Sequence, residues 1–101
     1  MKQKQVAEAI AKNASEPTPA HERVKVAKPD GTLQCNQGKQ IPLAEMAKQL
    51  AGIQIFSEKN LNDGLMRIQV CGAPTGQNNV YEIPKSELKK AVGLGFKEWL
   101  Y

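Results

Sequence analysis

The sequence predicts an α+β domain built from two strand-strand-helix units, forming one antiparallel or mixed sheet with two helices packed on one face. Three observations carry that expectation. Asp30-Gly31 and Asp63-Gly64 are turn dipeptides, each leading into a short stretch that ends in a cysteine, Cys35 or Cys71. Ile41-Pro42 and Ile83-Pro84 each open a segment with helical periodicity. Between those segments Glu45 matches Glu87, Met46 matches Leu88, Lys48 matches Lys90 and Leu50 matches Val92. The pattern reads as an internal repeat, although the Asp-Gly pairs and cysteines recur at shorter intervals than the Ile-Pro pairs. Loop insertions must absorb that drift, and any two hairpin-helix pairs share turns and prolines.

Residues 2–14 are good helix formers with a thin apolar stripe of Val6, Ala9 and Ile10. Pro17 and Pro19 then hold their predecessors extended. Residues 1–22 are therefore expected to be a flexible tail and Pro-containing linker, and 23–101 a single α+β domain. Val24 and Val26 alternate around Lys25 as a strand, Pro29-Asp30-Gly31 turns the chain, and residues 32–35 return as its hairpin partner. Residues 36–40 form a loop. Pro42 suits the first helical turn, where its missing N–H costs nothing. Leu43, Met46, Ala47 and Leu50 recur at helical spacing, and Gly52 closes the helix.

In the second unit residues 53–56 read as a strand. Met66, Ile68 and Val70 then alternate with Leu65, Arg67, Gln69 and Cys71, the clearest half-buried strand pattern in the chain. Residues 72–79 form a turn-rich loop and residues 80–83 a further strand. The helix after Pro84 carries Leu88, Ala91 and Val92 inward and ends at Gly93 and Gly95. Residues 96–100 make a last short strand or turn, with Tyr81, Phe96 and Trp99 in or at the edge of the core.

The two cysteines have two readings. If the units pack face to face, Cys35 and Cys71 come within the Cα separation of about 5–6 Å that a disulfide needs. Closing that loop stabilises by about 3.5–4 kcal/mol in the chain-entropy treatment. The other reading is two buried free thiols in a reducing cytosol. We expect the disulfide, because a folded part of about 80 residues gains most from a covalent staple. The staple in turn favours a periplasmic or secreted protein over a cytoplasmic one. Residues 1–15 contain no hydrophobic signal region, since Glu8 and Lys12 interrupt the apolar positions. No apolar run approaches the roughly 20 residues of a membrane-crossing helix.

Catalytic equipment is not expected. His21, the single histidine, lies at the end of the linker. Asp30 and Asp63 serve as turn residues, Glu45 and Glu87 sit in first helical turns, and Glu58, Glu82 and Glu98 lack an evident pairing. The serines have no nucleophile context, and neither Gly38-Lys39 nor the glycines at 72 and 76 match a phosphate-binding spacing. Two cysteines and one histidine do not supply the four ligands of a structural zinc site, and no cofactor or metal is expected.

Two surfaces remain. One is the loop Pro74, Thr75, Gly76, Gln77, Asn78 and Asn79, tethered at its start by the disulfide, a form that suits recognition. The other is a basic face of Lys85, Lys89 and Lys90. The net charge of +4 is small for a nucleic-acid binder, and no aromatics interleave those lysines. The expected function is a non-enzymatic protein-binding or inhibitor-like module, disulfide-stapled and extracytoplasmic, whose partner is another protein. The alternative is a cytoplasmic nucleic-acid-binding domain using the three lysines.

Overall fold

The computed structural model describes residues 19–101, so the expected tail helix and most of the linker lie outside the described residues. A turn of 3-10 helix, Ala20–Glu22, leads into β1 (Arg23–Pro29), followed by β2 (Thr32–Leu33) and β3 (Gln37–Gly38). Helix α1 (Leu43–Ala47) runs into a 3-10 turn, Lys48–Leu50. The remaining elements are β4 (Ser57–Asn62), β5 (Gln77–Pro84), a 3-10 turn Lys85–Glu87 with α2 (Leu88–Gly93), and β6 (Lys97–Glu98). The fold is α+β. Four strands form an antiparallel sheet in the order β4-β5-β1-β6, and β2 and β3 form a separate two-stranded sheet.

The sheet's two faces follow from register. Val24 opposes Ile83 and Val26 opposes Tyr81, while Ala27 opposes Val80 on the other side. On the first face Val26, Tyr81 and Ile83 join Met46 and Leu50 from the first helical segment and Ala91 from α2, with Phe96 and Ile53 closing the cluster. Both helices thus bury their stripes against the same strands, and each large side chain so covered stabilises by about 1.5–3 kcal/mol. On the second face Ala27, Val80 and Trp99 make a smaller cluster bordered by Leu61. The buried Tyr81 hydroxyl donates to the Leu43 carbonyl at 2.7 Å, and burial with the nearby Glu58 charge pushes its pKa up to about 12.

Local chemistry explains the helix starts. Pro42 and Pro84, at φ −60° and −61°, stand immediately before their helical segments. The Pro42 carbonyl accepts the Glu45 and Met46 N–H groups, both at 3.0 Å. Among the described residues no helix is long and apolar enough to cross a membrane.

Several expected elements change. The hairpin between Val24–Val26 and residues 32–35 does not form: β1 pairs along its length with β5, and β2 pairs with β3. Residues 53–56 are irregular, although Ile53 is buried, and the strand begins at Ser57. Strand β5 starts at Gln77 and so absorbs the last three residues of the expected loop. Val92 faces solvent while Ala91 is buried. The largest difference is at 65–71. This stretch joins no sheet, and Met66, Ile68 and Val70, expected to be half-buried, are exposed.

Candidate functional site

Residues 63–76 connect β4 to β5, and the stretch 64–70 is a strap outside any helix or strand, entered through Gly64 at φ +72°. Its N-terminal end is set by two Asx turns. Asn62 Oδ1 accepts the Gly64 N–H at 2.7 Å, and Asp63 Oδ1 accepts the Leu65 N–H at 3.0 Å. Arg67 reaches back with a two-pronged contact to Asp63, at 2.7 and 2.6 Å. The Arg67 guanidinium, reinforced by the Leu65 N–H, holds the Asp63 carboxyl down at about 2. Gly76 makes room for this clasp: it is buried at φ +89°, and a side chain there would strike the guanidinium.

The far end of the strap rests on the β2–β3 hairpin. The Gln34 side-chain amide donates to the Ile68 carbonyl at 3.2 Å and accepts the Val70 N–H at 2.9 Å. One side chain thereby imitates a partner strand across two residues. Beyond it the Gln34 backbone donates to Ala73 and accepts from Gly72. Cys35, at the hairpin tip with φ +67°, is joined to Cys71 by a disulfide whose Cα atoms are 5.1 Å apart. The bridge forms as expected, but its ends are a hairpin tip and a turn rather than two equivalent strand ends.

The hairpin itself is fastened to the sheet by Asp30. This side chain, expected to be a simple turn residue, is 1% exposed. Its carboxylate accepts the Thr32 hydroxyl at 2.6 Å, the Thr32 N–H at 2.9 Å and Asn60 at 2.9 Å. Asn60 also donates to Asn79, which donates to the Ile41 carbonyl. Burial pushes the Asp30 carboxyl up, but the hydrogen bonds from Thr32, Asn60 and Gln40 outweigh it and hold the pKa below the ordinary value. The Thr directly after Asp30-Gly31 is the sequence signal for this arrangement. It gave no hint of the burial.

The strap's outer surface is apolar. Met66 is fully exposed, Ile68 is 82% exposed, and Leu65 and Val70 are about half exposed. Among the described residues the backbone N–H and C=O groups of Met66, Arg67 and Gln69 have no protein partner. Beside the strap lies a cleft of about 300 Å³ bounded by Leu65, Arg67, Pro74, Trp99 and Tyr101. The rings of Trp99 and Tyr101 meet edge-to-face at 5.1 Å.

The two surfaces read from sequence fare differently. Pro74 bridges to Leu33, the Thr75 hydroxyl meets that of Thr32 at 2.6 Å, and Gly76 is buried. Gln77, Asn78 and Asn79 lie within β5, with Asn79 buried. Within 74–79, Gly76 and Asn79 are thus buried, while Pro74, Thr75, Gln77 and Asn78 border the cleft beside the strap. Lys85, Lys89 and Lys90 are exposed on the 3-10 turn and α2, while Tyr81, Phe96 and Trp99 are buried. His21 is exposed, 3.5 Å from Glu22. Glu82, expected to be unpaired, faces Arg23 at 3.6 Å. Among the described residues no three His, Cys, Asp or Glu side chains converge as a metal site would require. Comparison with known proteins finds no matching family, no matching curated protein and no matching solved structure.

Proposed function

We propose that this chain is a non-enzymatic protein-binding module, and that the strap 64–70 is its recognition element. The observation that carries the reading is the pairing of exposed Met66 and Ile68 with backbone groups that have no protein partner, on a segment outside any helix or strand. Apolar side chains held out in water on a rigid support favour a protein partner. Free N–H and C=O groups along a segment outside any sheet favour a partner that adds a strand or accepts one in a groove. Ordering a backbone residue costs about 1–2 kcal/mol, and here the Asp63–Arg67 clasp, Gln34 and the disulfide have met that cost before binding. The disulfide supports a periplasmic or secreted location, where such bonds persist.

The test is affinity capture from the native extract with three forms of the protein. A partner held by the natural chain is expected to be lost with Met66→Asp/Ile68→Asp and kept with Lys85→Glu/Lys89→Glu/Lys90→Glu. The reverse pattern, with retained nucleic acid and a steep salt dependence, would remove this reading in favour of the basic face.

A further inference from the structure

We infer that the strap is a substrate-like inhibitor loop for an endopeptidase of apolar specificity, presenting the Met66–Arg67 bond with Met66 entering the specificity pocket. The inference rests on the reading of the strap as recognition element and names the class of its partner. Three features of the strap point to it.

The first is that Met66 is the most exposed side chain of the strap. It is fully exposed, whereas Leu65 borders the cleft, the Arg67 guanidinium is engaged by Asp63, and the carbonyl of Ile68, the next most exposed, is occupied by Gln34. A flexible thioether side chain fills an apolar pocket readily. The second is the backbone. An endopeptidase groove binds substrate as an added strand, and among the described residues the Met66 N–H and carbonyl that it would meet have no protein partner.

The third is the anchoring, which separates an inhibitor from a substrate. The N-terminal side of the Met66–Arg67 bond is fixed by β4 and the two Asx turns, and the C-terminal side by Gln34 and the Cys35–Cys71 disulfide. The Asp63–Arg67 clasp spans the bond itself. When the peptidase nucleophile adds to the Met66 carbonyl carbon, its proton passes through the peptidase's base to the Arg67 nitrogen. The C–N bond breaks, an acyl-enzyme forms, and the Arg67 amine is released. In an unfolded chain that amine diffuses away and water completes hydrolysis. Here it is held beside the acyl carbon, where effective concentrations can reach the order of 10⁵ M or more. The amine attacks the acyl-enzyme, the peptide bond re-forms, and the nucleophile recovers its proton. The loop is occupied repeatedly and consumed slowly.

The experiment titrates the full-length oxidised chain against chymotrypsin and subtilisin, which prefer apolar residues, and trypsin, which prefers basic ones. Stoichiometric inhibition of chymotrypsin or subtilisin is expected, at about nanomolar strength or tighter as befits peptidase–inhibitor interfaces, with trypsin unaffected. Met66→Asp is expected to weaken inhibition by about 30-fold or more, and Met66→Lys to redirect it to trypsin. Asp63→Ala is expected to convert slow cleavage into rapid cleavage at Met66–Arg67, giving two fragments that separate only after reduction of the disulfide. Absence of inhibition of both apolar-specific enzymes, or cleavage of the natural strap as fast as an unfolded chain, overturns the inference. If strap-dependent capture persists alongside that result, the binding reading stands and only the peptidase assignment falls. If capture is also insensitive to the strap, both fall.

Discussion

Val24-Lys25-Val26 and Met66-Arg67-Ile68-Gln69-Val70 are written in the same alternating pattern, and they end in opposite places. The first lies in β1, between β5 and β6, with Val26 fully buried. The second is an unpaired strap with its apolar side chains in water. Alternation therefore states a demand for a partner and does not supply one. In β1 the demand is met inside the molecule by Ile83 and Tyr81. In the strap Gln34 answers two backbone groups, Ala73 answers the Val70 carbonyl and Asp63 holds Arg67, while the apolar side chains are left without a neighbour. What is left over on the strap is the surface we propose for binding.

Four measurements can break or sharpen that contrast. The largest effect is expected from Cys35→Ser/Cys71→Ser. Losing a bridge across a sequence separation of 36 should cost about 3.5–4 kcal/mol in urea unfolding, and amide exchange should quicken most in the strap. A loss below about 1 kcal/mol would mean the hairpin platform holds without its staple.

Next comes Ile83→Ala, which removes the buried cross-strand partner of Val24 and should cost about 3 kcal/mol in the same assay. It is the core half of a matched pair whose strap half is Ile68→Ala, discussed last.

Third is the acid limb. The folded pKa values of Asp30 and Asp63 are both depressed below the ordinary 3.8, so their contribution is complete above about pH 4 and is lost as pH falls through the folded values, about 2 for Asp63. Asp30→Ala should lower neutral-pH stability by about 1–3 kcal/mol, because it strips an acceptor from buried donors, and should flatten the slope below pH 4. An unchanged slope would show that Asp30 does not couple hairpin to sheet.

The smallest effect belongs to Ile68→Ala, expected to shift stability by less than about 0.5 kcal/mol because the side chain is already in water. A loss comparable to Ile83→Ala would place Ile68 in a core and end the distinction between the two regions.

Much of the fold was legible. The helical stripes of Met46, Leu50 and Ala91 face the sheet as their spacing implies, and Pro42 and Pro84 stand where the helical segments begin. Tyr81, Phe96 and Trp99 are buried, and Cys35 pairs with Cys71. The candidate site was legible only by neighbourhood. The polar, glycine-bearing stretch after Cys71 reads as an exposed loop, but Gly76 and Asn79 within it are buried, while the apolar stretch before Cys71 faces solvent. Hydropathy misplaces the apolar stretch, and it does not foresee the burial of polar Asn79, which Asn60 and Ile41 satisfy.

Turns, helix starts, the apolar stripes and the availability of two thiols were properties of the chain alone, because each depends on residues a few positions apart. Which alternating segment would gain a neighbour depended on β5 arriving beside β1 from the far end of the sequence. Burial belongs to a pair of surfaces, and one sequence segment contains only half of it.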